Sequence, residues 1–188
     1  MDVRKVATWT VVGLAVVYSG FLVHRSLGVQ HAAAGGQSRL QHAQSGFLPG
    51  EVAPSFTLQT TTGKTITLAS LRGHGVWLNF WATWCPHCKQ ELPIVEQEQR
   101  LYGQKIDIVG VDVQESQAQV QQFAHSLGLT YPIALDSQGG VAASYGIHGL
   151  PTQVFVAPNG VIKAVYEGAF QNAGQALHYL KQIDPAIG

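Results

Sequence analysis

The sequence predicts an α/β domain in which helices flank a mixed central β-sheet. Two short apolar runs, residues 76–82 and 106–113, have the length and composition of strands that are buried on both faces. Each run is followed by a longer segment with helical periodicity. Residues 152–157 and 161–166, joined by a Pro-Asn-Gly turn at 158–160, predict a β-hairpin. Strands that alternate with helices and end in a hairpin indicate a layered α/β sandwich.

The N-terminal segment predicts a single membrane anchor. Residues 6–23 are 18 residues without a charged side chain, preceded by Arg4 and Lys5. This length suits a short spanning helix and exceeds the usual core of a signal peptide. The cationic residues favour a cytoplasmic location for residues 1–5, which places the domain on the extracytoplasmic (periplasmic) side of the inner membrane. A cleaved signal peptide is the alternative, although the small residues at 32–34 lie well beyond the apolar core.

Residues 24–46 are small, polar and rich in glutamine, which predicts a flexible linker to a domain at residues 47–188. A chain of 188 residues with 46% hydrophobic content suits one domain plus a targeting segment. The predicted domain carries seven Lys and Arg residues against ten Asp and Glu residues, a formal charge of −3. We therefore expect no nucleic-acid partner.

The predicted domain begins with two short strands separated by a turn at Thr62-Gly63. After the strand at 106–113, four apolar residues share one side of a helix that Gly128 ends. Those residues are Val120, Phe123, Ala124 and Leu127. A short strand and a brief helix follow, at residues 131–135 and 141–145, and a final helix at 172–183 comes after the hairpin.

The two cysteines of the chain form a C-x-x-C motif, Cys85 and Cys88, directly after the first buried strand. A helical run follows, so Cys85 is predicted to lie at a helix N-terminus. Unpaired N–H groups and the helix dipole favour a thiolate there. We expect Cys85 to be exposed and nucleophilic, and Cys88 to be more buried and to resolve a mixed disulfide.

Three other interpretations of the motif fit less well. A zinc site needs a second ligand pair, which the sequence does not offer at a suitable spacing. Covalent haem attachment needs a histidine where Lys89 stands. A structural disulfide closing so short a loop constrains the unfolded chain little. The motif therefore predicts redox chemistry through the Cys85–Cys88 disulfide, without a metal or an organic cofactor.

The run WATWCPHC, followed by Glu91 and Pro93, resembles the thioredoxin superfamily and in particular the membrane-anchored TlpA/ResA-like thiol–disulfide oxidoreductases. The likeness extends over about residues 47–188 and implies a thioredoxin-like sandwich with an N-terminal β-hairpin extension. That extension also resembles peroxiredoxins. Two features depart from thioredoxin: Asn79 replaces a buried aspartate, and Pro86-His87 is the dipeptide associated with the oxidant DsbA.

The resemblance implies roles for several residues around the cysteines. Glu91 lies three residues after Cys88 on the same helical face and corresponds to a functional glutamate, which would accept or deliver the Cys88 proton. Without the resemblance, Glu91 reads equally well as an ordinary solvated residue. His87, with Pro86, is predicted to tune the potential by stabilising the Cys85 thiolate. The alternative for His87 is a surface contact with partners.

Pro151 matches the cis-proline that the superfamily places before the hairpin strand, facing the cysteines. Because proline lacks an N–H group, the Leu150 backbone would remain free to pair with an incoming peptide. Trp84, next to Cys85, is predicted to be exposed and to contact substrates, whereas Trp81 is predicted to be core.

Together these features predict thiol–disulfide exchange with protein substrates, supported by an electron donor or acceptor in the membrane. The resemblance implies a reductant in cytochrome c maturation, whereas Pro86-His87 favours a DsbA-like oxidant. A peroxiredoxin-like peroxidase and a copper metallochaperone are less favoured. In the peroxidase pattern, Ala82 stands where Thr or Ser is expected, and Leu78 stands where Pro is expected. For the copper metallochaperone, the cysteine spacing is one residue too short.

Overall fold

The computed structural model describes residues 49–187. The predicted cytoplasmic tail (1–5), anchor (6–23) and linker (24–46) lie outside the described residues. Among the residues that are described, no helix is both long and apolar enough to cross a membrane.

Seven strands, one short 3-10 helix and four α-helices make up the described part of the chain. The strands are β1 (Thr57–Thr60), β2 (Thr65–Thr67), β3 (Gly75–Trp81), β4 (Ile106–Val113), β5 (Ile133–Asp136), β6 (Thr152–Val156) and β7 (Ile162–Glu167). The 3-10 helix is Leu68–Leu71, and the α-helices are α1 (Pro86–Tyr102), α2 (Gln117–Leu127), α3 (Gly140–Ser144) and α4 (Ala173–Ile183). For β3 to β7 and for α3 and α4 the predicted bounds agree with the observed ones to within two residues, whereas the 3-10 helix was not predicted.

The strands form one mixed sheet in the order β2-β1-β5-β4-β3-β6-β7. The central strands β3, β4 and β5 are parallel, because α1 and α2 carry the chain back between them. The outer strands pair antiparallel, as hairpins β1–β2 and β6–β7 and through contacts of β1 with β5 and of β6 with β3. This is the thioredoxin-like α/β fold that the sequence predicts.

Two apolar clusters cover the two faces of the sheet. All seven residues of β3 are buried, so alternate side chains enter both clusters. Trp77 and Trp81 lie on one face with buried residues of α1, α2 and α4. Leu78 and Phe80 lie on the other, with buried residues of the 3-10 helix and α3. The cysteines belong to the first cluster.

Helix α2 differs in one respect from its predicted pattern. Val120 and Ala124 are buried, and Gly128 ends the helix with a φ of 63°, as predicted. Leu127, however, is 40% exposed, so its predicted burial was wrong. It is the last residue of the helix and lines a surface groove with Leu101 of α1 instead of reaching the sheet.

Candidate active site

The Cys85–Cys88 disulfide lies at the connection between the central strand β3 and helix α1. Cys85 is the N-cap residue of α1, and Pro86 occupies the first turn, where a missing N–H group costs the helix nothing. The two Cα atoms are 5.3 Å apart. The Cys88 backbone N–H donates to Cys85 Sγ over 3.2 Å. After reduction, the same N–H group and the positive end of the helix dipole would stabilise a Cys85 thiolate.

The disulfide is covered, whereas the residue before it is not. Cys85 is 3% exposed and Cys88 is fully buried. The expectation that Cys85 is exposed was therefore wrong for the oxidised protein. Its sulfur packs between α1 and the loop before β6, 3.6 Å from the Leu150 carbonyl oxygen. Trp84 is 65% exposed and is the prominent apolar surface beside the disulfide.

The loop opposite the disulfide contains a cis peptide bond between Leu150 and Pro151, as the resemblance implied. Pro151 is buried and Leu150 is half-buried. Thr152, the first residue of β6, donates from its hydroxyl to the Gly149 carbonyl over 2.8 Å and so ties the loop to the strand. The roles of Trp84, Leu150 and Pro151 in substrate binding remain predictions.

Glu91, one turn along α1 from Cys88, has no solvent exposure. Its carboxylate accepts hydrogen bonds only from N–H groups among the described residues. Gln153 Nε2 lies 2.8 Å and 2.9 Å from the two oxygens, the Phe170 backbone N–H donates over 3.2 Å, and Asn79 Nδ2 lies 3.5 Å away. Burial raises the pKa of Glu91 to about 7, and these donors oppose the rise.

Gln153 is a site residue that the sequence analysis missed. It lies opposite Asn79 in the antiparallel β3–β6 pair and is fully buried. Its Oε1 accepts hydrogen bonds from Trp77 Nε1 and Asn79 Nδ2, both over 2.8 Å. The signal was present in the sequence, because a glutamine interrupts a strand whose other residues are apolar or β-branched.

A second buried acid lies on the other side of the cysteine loop. Asp112, opposite Trp81 in the parallel β3–β4 pair, is fully buried and accepts no side-chain N–H within residues 49–187. Burial raises the pKa of Asp112 to about 8, reinforced by a hydrogen bond to the Glu115 side chain and by the negative charges of Glu115 and Asp136, while the Glu115 backbone N–H opposes the rise. The sequence analysis did not identify this group.

Glu115 connects this acid to the loop that precedes the disulfide. Its carboxylate accepts hydrogen bonds from the Thr83 backbone N–H and, over 2.6 Å, from the Thr83 hydroxyl. Gln119 Nε2 donates to Thr83 Oγ1 over 2.8 Å and also contacts Glu115. The segment between β3 and Cys85 is thus held by α2 and its preceding loop.

The remaining predicted residues lie at the surface. Pro86 and His87 are exposed on the first turn of α1, where they could contact a partner protein. Within residues 49–187, no cluster of His, Cys, Asp and Glu side chains has the arrangement of a metal site. The redox-active group of the site is the Cys85–Cys88 disulfide.

Comparison with known proteins identifies relatives of this arrangement. Residues 49–165 match the AhpC/TSA family. The thiol–disulfide oxidoreductase ResA of Bacillus subtilis is 38% identical over 138 residues, which cover 72% of this chain and 76% of ResA. The thioredoxin-like protein YneN of the same organism is 38% identical over 126 residues, 65% of this chain and 74% of YneN.

Solved structures agree with these sequence matches. A thiol:disulfide interchange protein of the thioredoxin family from Chlorobium tepidum superposes with a TM-score of 0.63 at 30% identity, covering 76% of this chain and 99% of that one. StoA from Bacillus subtilis gives 0.60 at 30% identity, covering 68% of this chain and 97% of StoA.

Proposed function

This chain belongs to the AhpC/TSA family and is a ResA-like thiol–disulfide oxidoreductase, and from that premise we propose that it reduces disulfides in extracytoplasmic proteins, including apocytochrome c before haem attachment. One observation carries the proposal. Cys85 Sγ accepts the N–H of Cys88 at the start of α1 and faces the Leu150 carbonyl across the site. A nucleophile and a backbone carbonyl that can accept a hydrogen bond from a peptide thus lie next to each other.

The first step forms a mixed disulfide. In the reduced protein the Cys85 thiolate attacks one sulfur of the substrate disulfide, and the other substrate sulfur leaves as a thiolate. The half-buried Leu150 backbone pairs with the substrate chain, and Trp84 and the exposed first turn of α1 contact its surface.

The second step releases the substrate. Cys88 loses its thiol proton and attacks Cys85 Sγ, which forms the Cys85–Cys88 disulfide and frees the second substrate thiol. Glu91 accepts the Cys88 proton. Its carboxyl has a pKa raised to about 7 by burial, which suits a group that takes up and releases protons near neutral pH. Two electrons pass to the substrate in each cycle. Its two departing thiolates take up one proton from solvent and the one proton that left Cys88 through Glu91.

A membrane electron donor then returns the disulfide to the dithiol, because the domain is tethered outside the cytoplasmic membrane by residues 6–23. The anchor follows from the 18 uncharged residues and the preceding Arg4 and Lys5.

One observation favours a second function in the opposite direction, the oxidation of protein thiols. Pro86-His87 separates the cysteines, and stabilisation of the Cys85 thiolate by His87 would make the disulfide more oxidising.

Trapping and direction assays test the proposal. Cys88→Ser cannot resolve the intermediate, so the full-length variant should accumulate dithiothreitol-sensitive adducts through Cys85, and Cys85→Ser should not. The reduced wild type should convert a disulfide-bonded C-x-x-C-H peptide to its dithiol. Formation of disulfides in the reduced peptide by the oxidised protein, without the reverse reaction, would instead establish the oxidant function.

A further inference from the structure

The side-chain amide of Gln153 has only one orientation that satisfies its surroundings. Trp77 Nε1 and Asn79 Nδ2 both donate to Oε1 over 2.8 Å. An amide turned end for end would direct its NH₂ group at these two donors and its oxygen at a carboxylate. Strand β3 therefore fixes Gln153 of β6 with Nε2 facing Glu91 of α1.

We propose that Gln153 is a positioning residue, which holds the Glu91 carboxyl beside Cys88 and keeps it able to exchange a proton. The inference rests on the proposed function for its catalytic meaning. Nε2 lies 2.8 Å and 2.9 Å from the two oxygens of Glu91, so the carboxyl group is fixed in both position and plane.

Among the described residues, the groups that donate hydrogen bonds to Glu91 are uncharged. In the part of the chain that the structure describes, Glu91 forms no ion pair. Facing groups are the Asn79 amide on β3, the Phe170 N–H after β7, and Tyr131 before β5, which interacts with Glu91 electrostatically. Burial opposes the ionised form. The Phe170 backbone N–H is the strongest opposing donor, and Gln153 is the strongest and nearest side-chain donor.

A purely structural glutamine would have a different signature. If Gln153 only satisfied the Trp77 and Asn79 donors inside the core, its loss would lower stability and leave the ionisation of Glu91 unchanged. If Gln153 positions Glu91, the loss of Gln153 must change the ionisation of Glu91. Direct titration of Glu91 therefore distinguishes the two roles.

The first experiment titrates the Glu91 side-chain carboxyl by ¹³C NMR in full-length wild type and in Gln153→Met, which has a similar volume and no amide. We expect the midpoint to rise by at least about one pH unit, because hydrogen bonds to a charged group are among the stronger ones. Gln182→Met, at an exposed position on α4, is the matched control and should leave the midpoint unchanged. An unchanged midpoint in Gln153→Met would overturn the proposal.

A measurement on the wild-type protein tests the proposal without any variant. The ¹H and ¹⁵N shifts of the Gln153 side-chain amide should titrate with the same midpoint as the Glu91 carboxyl, because Nε2 donates to it. A Gln153 amide that does not respond to pH between 5 and 9 would also overturn the proposal.

The rate at which the reduced protein reduces a disulfide-bonded C-x-x-C-H peptide, followed from pH 5 to 9, connects the inference to function. Gln153→Met should move the profile to higher pH in the wild-type background and should not move it in the Glu91→Gln background. A raised Glu91 midpoint with an unmoved rate profile would support the positioning of Glu91 while overturning its proposed role as the Cys88 proton acceptor.

Discussion

Two fully buried carboxyl groups lie near the disulfide, and their surroundings differ in kind. Glu91 on α1 is surrounded by N–H donors from β3, β6 and the segment after β7. Asp112 at the end of β4 faces other acids, Glu115 and Asp136, and receives a hydrogen bond from the Glu115 backbone N–H. Burial raises the pKa of both, to about 7 and about 8 respectively. Burial disfavours the charge of both groups, and the donors and acids around each one determine how far its pKa rises.

The raised pKa values of the two acids determine how the stability of the fold depends on pH. An acid whose pKa is raised on folding holds its proton in the folded state after the unfolded chain has lost it. Stability is therefore highest at acidic pH, near the ordinary pKa of about 4, and falls as the pH rises toward 7 for Glu91 and 8 for Asp112.

Glu91→Gln should slow resolution of the mixed disulfide by about 10²-fold, the lower range for a general acid–base group. The rate would also lose its dependence on a group that titrates near pH 7. Stopped-flow tryptophan fluorescence with a disulfide-bonded peptide measures both. Asp112→Asn is the matched control and should change the rate by less than about twofold, because Asp112 is assigned no proton transfer. An equal loss of resolution rate in the two variants would contradict a distinct proton-transfer role for Glu91.

Asp112→Asn should make the protein more stable, and increasingly so as the pH rises. The amide can donate to Glu115 as the protonated acid does, and it carries no charge that must be desolvated. Because one pKa unit corresponds to about 1.4 kcal/mol, we expect a gain of at least about 2 kcal/mol at pH 8 and a smaller gain at pH 5. Urea unfolding of the full-length variant and the wild type at both pH values measures it.

A gain that is equal at the two pH values would show that packing, and not the charge of Asp112, limits stability. The corresponding change at the other site, Glu91→Gln, should give less stabilisation at pH 8. Its carboxylate already receives hydrogen bonds from Gln153 and Phe170, which the change disturbs.

Thr83→Val should lower stability by about 1–2 kcal/mol, because the Glu115 carboxylate loses a hydroxyl donor while the shape of the side chain is kept. Thermal unfolding of the full-length protein would show a lower midpoint. Thr57→Val, at an exposed position of β1, serves as the control and should have little effect. No loss of stability in Thr83→Val would mean that the Glu115 contact does not hold the segment before Cys85.

His87→Ala should have the smallest effect, because His87 is exposed and water screens its charge, whereas the two acids are buried. If a histidinium stabilises the Cys85 thiolate, the variant should have a reduction potential lower by a few tens of millivolts, since about 30 mV corresponds to 1.4 kcal/mol for a two-electron couple. Equilibration with glutathione measures the potential. An unchanged potential would leave His87 as a contact residue only.

Local patterns in the sequence were enough to predict the order of elements and the position of the redox motif. Strand β3, helix α1 and the hairpin β6–β7 follow from local patterns of apolar residues, and Cys85 follows from its place between a strand and a helix. These features are local, since they depend on residues that are neighbours in the chain.

The burial of particular side chains was less well determined. Periodicity assigned Leu127 to the core, and the helix position alone suggested that Cys85 would be exposed. Both expectations were wrong, because exposure depends on where a helix ends relative to the sheet and on which loop lies across it.

The environments of the two acids depend on contacts between residues that are far apart in the chain. Glu91 and Gln153 are 62 residues apart, and they meet because the antiparallel register of β3 and β6 sets Gln153 opposite Asn79. Asp112 lies opposite Trp81 through the parallel register of β3 and β4. Register is fixed by the packing of the whole sheet between two apolar clusters, and a shift of one residue would turn each side chain to the other face. The sequence shows that both acids are present, and the fold determines that Glu91, and not Asp112, receives side-chain amide donors.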